Sequence, residues 1–184
     1  MGERFYAETF TPEVRAAQRH YHGRDYQPAA PGEREALGPA ELEFIAQRDS
    51  FYMATVSSQG WPYVQHRGGP KGFLRALGPS TLAFADFKGN KQLISTGNLA
   101  NGGKVALILV DYVRRERLKV LGVASIADVR DRPPALEALV APEHLRKVER
   151  LVVIDVVAFD WNCPAYITPR YATAPRPPPP SSSP

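Results

Sequence analysis

Cysteine is almost absent from this chain, since Cys163 is the single one among 184 residues. One cysteine cannot form an intrachain disulfide or a cysteine-based metal site. Long apolar runs are absent as well, because VALILV and LVVIDVVAF fall far short of the ~20 residues that cross a bilayer. The opening MGERFYAETF lacks the apolar core of a signal peptide. These absences predict a cytoplasmic protein with neither a metal nor a membrane partner.

The chain also lacks a strong excess of one charge. Its 23 Lys and Arg residues stand against 19 Asp and Glu residues, and the two signs are interspersed. Nucleic-acid-binding domains concentrate basic residues in a patch or stripe, so we expect no nucleic-acid partner. The length and an apolar fraction of 43% suit one globular domain with a full core.

Familiar catalytic motifs are missing too. No serine has the context of a nucleophile elbow, and Cys163 has no histidine nearby in the sequence. His20 and His22 stand in RHYHG without the carboxylates of a metal site. GGPKG, residues 68–72, has neither the spacing nor the strand-to-helix context of a nucleotide-binding loop. Any functional site must therefore be built from other residues.

Helical signals flank a long β-rich region. Thr11 as N-cap, Pro12 at the first helical position and Gly23 at the end predict one helix. A second helix is predicted over GPAELEFIAQRD, residues 38–49, with Leu42 and Ile45 facing inward. PPALEALVAPEHLRKVERL, residues 133–151, predicts a helical insertion before the last strand.

From residue 51 onward the sequence is rich in β-branched and aromatic residues, which predicts a series of strands. Six or seven strands without regular helical crossovers predict a mainly β protein built on an antiparallel barrel. We expect residues 1–39 to form a helix and loop packed on the barrel and residues 40–173 to form the barrel domain. Residues 174–184, a Pro- and Ser-rich tail, are expected to be disordered.

Polar residues gather at several predicted strand ends. DFKGNKQLIST, residues 86–96, places Lys88 and Lys91 where a helix begins, and a helix start with exposed N–H groups suits a phosphate. YVQHRGG ends a strand with polar side chains before two glycines that allow close backbone approach. The alternatives are a charged strand end with a flexible turn and, for the closing DWNCPAYITPRY, an aromatic cap over the barrel.

Four segments together carry a resemblance: FYMATVSSQGWPYVQHRGG, TLAFADFKGNKQLISTGNL, VALILVDYVRRERLKVLGVASI and DWNCPAYITPRY. Their order and spacing over residues 40–171 resemble the pyridoxamine 5′-phosphate oxidase-like family of FMN-binding split barrels, in particular its uncharacterised bacterial branch with a WNCP…ITPRY ending. The resemblance implies a six-stranded antiparallel split β-barrel with flanking α-helices. It also implies a homodimer with FMN in the interface.

The resemblance further implies a set of cofactor-binding residues. They are Gln65, His66, Arg67 and Gly68 beside the flavin; Asp86 at the edge of the next strand; Lys88, Asn90, Lys91 and Gln92 at the phosphate turn; Arg117 facing the flavin from a neighbouring strand; and Trp161 and Arg170 closing the site. Asn90 stands where the family has an Arg, so Lys88 or Arg67 is expected to substitute for it.

The implied function is that of an FMN-dependent oxidoreductase acting on an unknown small molecule. Only Arg170 remains of the closing cluster that grips the substrate phosphate in true pyridoxamine phosphate oxidases, so a vitamin B6 phosphate is not the expected substrate. Two alternatives stay open. One is a reductase that uses a deazaflavin or haem-derived ligand, and the other is a non-catalytic flavin-binding or sensing protein.

Overall fold

The computed structural model describes residues 2–30, 34–89, 91–100, 102–161 and 163–171. Its helices are α1 (Glu3–Thr9), α2 (Pro12–His22), α3 (Pro39–Ala46), α4 (Ile94–Asn98) and α5 (Leu136–Leu139). Its strands are β1 (Ser50–Val56), β2 (Pro62–Gly68), β3 (Arg75–Gly78), β4 (Thr81–Phe87), β5 (Gly103–Asp111), β6 (Glu116–Asp128) and β7 (Val148–Trp161). The predicted tail, residues 174–184, lies outside the described residues. Among those residues, every helix is too short or too polar to serve as a membrane span.

One antiparallel sheet carries all seven strands, in the order β2-β1-β5-β6-β7-β4-β3. The predicted mainly β split-barrel class is confirmed, with seven strands instead of six because the short β3 pairs with β4. The sheet curls until β2, at one edge, approaches β4 near the other. No strand pairing closes this gap in the described chain, but Arg67 on β2 forms an ion pair with Asp86 on β4 at 2.9 Å.

Strand alternation decides which side chains fill the core. Along β1, Phe51, Met53 and Thr55 are buried, while Tyr52 and Val56 face outward and are 40% and 53% exposed. Successive side chains of a strand point to opposite faces, so the curled sheet has one apolar interior. α3 closes this interior with Phe44 and Ile45, which agrees with the predicted inward position of Ile45. Leu42 packs against the same core from a partly buried position.

The first predicted helix is confirmed as α2. The Thr11 hydroxyl accepts a hydrogen bond from the Val14 N–H at 3.3 Å, and Gly23 ends the helix in the left-handed conformation with φ of 70°. An additional helix, α1, precedes it and buries Phe5 against the sheet. This helix lacks a side-chain cap, so the local sequence carried no start signal for it.

The helical insertion predicted over residues 133–151 is mostly wrong. Only α5 is α-helical there, and it is four residues long; a 3-10 turn covers Pro142–Lys147, and β7 begins at Val148. Proline disfavours the helical conformation in the residue before it, and Ala141 is accordingly extended, with ψ of 145°. The insertion instead packs Val140 and its neighbours on Leu151 as a small separate cluster.

Candidate functional site

A cavity of about 230 Å³ opens between β2, β4, the first residues of β7 and the segment that leads into α4. Its wall includes five of the predicted site residues, namely Gln65, Arg67, Asp86, Lys91 and Gln92. Tyr63, Ser95, Thr96, Glu149 and Arg150 also line it. The structure therefore brings the middle part of the predicted set together.

Asp86 organises the polar wall of this cavity. Its Oδ1 accepts a hydrogen bond from Arg67 at 2.9 Å, and its Oδ2 accepts one from Arg150 at 3.2 Å. Arg150 also donates to the Thr96 hydroxyl at 3.2 Å and to the Glu149 carboxylate. The two arginine side chains are 12% exposed. Both guanidinium groups are therefore held in fixed positions by one carboxylate.

The alternation of β2 directs Gln65 and Arg67 to the cavity side of the strand. The buried Ser95 hydroxyl donates to Gln65 Oε1 at 3.2 Å. Since the carboxamide oxygen is engaged in this bond, the Gln65 NH₂ group is the part that can donate to a ligand. Arg67 Nε is buried and has no hydrogen-bond partner among the described residues. The wall thus offers hydrogen-bond donors to an acceptor-rich molecule.

The turn after β4 has an unusual backbone. Lys91 and Leu93 are both left-handed, with φ of 63° and 54°, a conformation that costs about 1–2 kcal/mol for a non-glycine residue. Strained residues of this kind concentrate at ligand sites. α4 has only five residues, so the helix dipole on which the phosphate prediction partly relied is small, and an anion would have to be bound mainly by side chains.

Two residues predicted for the turn differ from Lys91. Asn90 lies outside the described residues. Lys88 is exposed, does not line the cavity, and its backbone N–H donates to the Lys147 carbonyl at 2.9 Å. Of the two substitutes expected for the missing arginine, only Arg67 lies at the cavity.

His66 and Gly68 also do not line the cavity. His66 points to the opposite face of β2, where its ring meets the edge of Tyr52 with centroids 5.4 Å apart. The expected space beside the glycines is filled from within, because a Cβ on Gly69 would lie 2.7 Å from the ring of Phe73. Phe73, which packs against the core, therefore occupies the space beside the glycines that a ligand was expected to use.

Arg117, Trp161 and Arg170 lie together at the β5–β6 hairpin, far from the cavity. The Trp161 indole N–H donates to Glu41 at 2.6 Å, and its ring packs edge-on against Phe44. The Arg170 guanidinium lies 4.8 Å from the ring centre of Tyr112. β7 runs 11 residues from Arg150 to Trp161, about 36 Å at ~3.3 Å per residue. None of these three residues lines the cavity of its own chain.

Sequence reasoning missed Arg150, Glu149, Ser95 and Thr96. Arg150 and Glu149 fell inside the predicted helical insertion, whereas the structure pairs Asp86 on β4 with Arg150 on β7. That pairing joins residues 64 positions apart, and no local pattern signals it. Ser95 and Thr96 lie in the predicted turn segment but were not singled out.

The curled sheet, together with a cavity walled by arginine, lysine and amide donors, defines a split-barrel protein with a site suited to an anionic ligand. A family model described as pyridoxamine 5′-phosphate oxidase matches residues 37–153, which is more than half of the chain. The chain belongs to the pyridoxamine 5′-phosphate oxidase family, and the family predicted from the four segments is confirmed.

Solved structures are similar at low identity. A candidate pyridoxamine 5′-phosphate oxidase from Lactobacillus delbrueckii is 21% identical, with a TM-score of 0.52 over 68% of this chain and 93% of that one. HupZ from Group A Streptococcus is 17% identical, with a TM-score of 0.52 over 67% of this chain and 92% of its own. At this identity the likeness supports the fold. No curated protein matches the chain.

Proposed function

We propose that this protein binds FMN and serves as an FMN-dependent oxidoreductase for a small molecule. The observation that carries the proposal is the cavity wall, where Arg67 and Lys91 stand beside the Gln65 amide. A phosphate monoester carries nearly two negative charges at neutral pH, and each charge-assisted hydrogen bond to it contributes about 1.5–3 kcal/mol.

The donor set fits a phosphate. Arg67 Nε is buried without a hydrogen-bond partner in the described chain, and leaving a buried donor unsatisfied costs about 1–3 kcal/mol. A phosphate oxygen would accept from it. The flavin ring would supply the redox chemistry when bound, while Gln65, Arg67 and Lys91 would hold and orient the cofactor.

Two features support a homodimer with composite sites. The cavity, at about 230 Å³, is smaller than the ~300–1,000 Å³ of typical cofactor sites, so one chain encloses only part of a flavin nucleotide. The outer faces of β1, β2 and β5 also expose an apolar surface that includes Tyr52, Val64 and Ile108. A second copy related by a two-fold axis would cover this surface.

Trp161 and Arg170 are then proposed to reach the cavity of the partner. Arg117, in the same group of side chains, supports this because its buried Nε lacks a hydrogen-bond partner among the described residues. His66 lies beside Tyr52 on the outer face and would belong to the subunit interface.

The test of cofactor identity is a titration of the purified protein with FMN and with riboflavin. We expect a yellow complex with FMN and at least tenfold weaker binding of riboflavin, which corresponds to about 1.4 kcal/mol. Equal affinity for the two would contradict the phosphate site. A single absorption band in place of the two flavin bands would instead identify a deazaflavin. Reduction by a nicotinamide nucleotide and reoxidation by candidate acceptors would distinguish an enzyme from a passive binder.

The composite site is tested by mixing two damaged chains. Lys91→Ala and Arg170→Ala homodimers should each bind FMN poorly, whereas a heterodimer carries one intact site and one doubly damaged site. About half of the FMN capacity per heterodimer should return on mixing. If the subunits exchange and no binding returns, or if a monomer binds FMN fully, the composite site is wrong.

A further inference from the structure

Arg67, Lys91 and Arg150 are the cationic residues that line the cavity, and of these Arg150 is the one that the predicted site does not include. We infer that Arg150 is a phosphate-binding residue that gives the cavity its selectivity for a phosphorylated flavin. The inference rests on the proposed function, because it assigns a further ligand at the same site.

The charge balance of the cavity gives the first argument. Three cationic side chains, Arg67, Lys91 and Arg150, line it together with two carboxylates, Asp86 and Glu149. These groups leave one net positive charge, and without Arg150 the lining would be neutral. A cavity with no net charge has little electrostatic preference for a phosphorylated ligand over its uncharged counterpart.

The hydrogen bonds of Arg150 give the second argument. Its guanidinium has five N–H groups, of which three bond to Asp86, Thr96 and Glu149. The remaining two can donate to a ligand. A side chain that is held on several sides and 12% exposed has little rotamer freedom left to lose, so it can bind an anion without a large entropic cost.

Thr96 is a positioning residue in this arrangement. Its hydroxyl accepts from Arg150 at 3.2 Å and carries no charge, so it can be altered without changing the charge of the cavity. Asp86 holds Arg67 and Arg150 through separate oxygens, which keeps the two guanidinium groups side by side. The phosphate would therefore meet a preformed pair of arginines.

The experiment measures dissociation constants for FMN and riboflavin in wild-type protein and in Arg150→Gln. We expect FMN affinity to fall by about tenfold to a hundredfold, the equivalent of one lost charge-assisted contact. Riboflavin affinity should change less than about threefold, so the selectivity ratio collapses. The ratio is taken within one protein sample, and a general loss of folded protein therefore lowers both affinities and leaves it unchanged. Arg146→Gln, an exposed arginine outside the cavity, is the matched control and should keep the wild-type ratio.

Two further variants keep the inference testable if Arg150→Gln does not fold. Arg150→Lys should retain part of the selectivity, and Thr96→Val should lower it about two- to fivefold without a change of charge. If wild-type protein prefers FMN and Thr96→Val and either Arg150 variant keep the full preference, the inference is overturned while the proposed function stands. If wild-type protein binds FMN and riboflavin equally, the phosphate site itself is overturned.

Discussion

Near its start β7 presents Arg150 to a cavity walled by charged groups, whereas at its last residue, its aromatic end, Trp161 packs edge-on against Phe44 of α3. The first end is organised by two ion pairs of Asp86: one joins β4 to Arg150 on its paired neighbour β7, and the other joins β4 to Arg67 on β2, with which β4 shares no backbone pairing. The second end is organised by ring contacts and by one hydrogen bond to Glu41. Each end has a buried arginine Nε without a hydrogen-bond partner among the described residues, Arg67 at the charged end and Arg117 at the aromatic end, whereas the Trp161 indole N–H is already bonded within the chain.

This difference decides how the predicted site can be assembled. Gln65, Arg67 and Lys91 meet in one chain, so their role needs no partner to bring them together. Trp161 and Arg170 lie outside that cavity, and in the proposed composite site a second copy would bring them to it. The two ends can therefore be tested separately, by substitutions at each.

The largest effect is expected at the charged end. Arg67→Met removes the ion pair between β2 and β4 and leaves Asp86 with Arg150 as its cationic partner. Breaking a largely buried pair costs several kcal/mol, and since Arg150 remains we expect the free energy of unfolding to fall by about 2–4 kcal/mol. Urea denaturation measures it.

The control is Arg114→Met, because Arg114 forms an ion pair with Glu116 while 56% exposed. Exposed pairs contribute about 0–1 kcal/mol. Similar losses in the two variants would mean that the link across the gap in the sheet does little to stabilise the fold.

Ligand binding at the same end is tested by Lys91→Ala. FMN affinity should fall by about tenfold to a hundredfold, or about 1.5–3 kcal/mol, because one charge-assisted contact is lost. Isothermal titration measures it. Lys88→Ala is the matched control: Lys88 lies in the same turn but does not line the cavity, so its loss should change affinity less than about threefold. Comparable losses of FMN affinity in the two variants would mean that Lys88 also binds the ligand.

The part of this molecule that could be predicted from sequence is the part set by local signals. The ends of α2 are signalled by Thr11, Pro12 and Gly23. The strands are signalled by their β-branched and aromatic residues. The orientation of His66 was also available, since strand alternation puts it opposite Gln65 and Arg67. Arg150 was not available in that way, because only the pairing of β4 with β7 brings it to Asp86.

A third prediction concerns the β5–β6 hairpin near the aromatic end. Asp111 accepts hydrogen bonds from Arg114 N at 2.9 Å and forms an ion pair with Arg48 at 2.8 Å. Burial opposes its ionisation, but these hydrogen bonds outweigh burial and hold the pKa of Asp111 below its ordinary value of 3.8. At pH 7 Asp111→Asn should lower the free energy of unfolding by about 1–2 kcal/mol.

The stabilisation that ionised Asp111 provides depends on pH. Because the folded-state pKa of Asp111 is lowered, its ionisation stabilises the fold fully above the ordinary value of 3.8, and this contribution disappears as the pH falls through the lower folded value. The difference between wild type and Asp111→Asn should therefore shrink in acid. A difference that stays constant down to the acid limit of folding would assign the loss to packing and not to charge.

The smallest effect is expected from Trp161→Phe at the aromatic end. The substitution keeps a ring against Phe44 but removes the indole N–H that donates to Glu41. A hydrogen bond contributes about 0.5–1.5 kcal/mol net, and we expect the free energy of unfolding to fall within that range. Trp61→Phe is the matched control, since Trp61 is 73% exposed and its replacement should be nearly neutral. If Trp161→Phe is also neutral, the contact with Glu41 does not hold this end in place, and Trp161 is then free to turn toward a partner subunit. A loss within the range means that any contact across the interface is made by a side chain already fixed in its own chain.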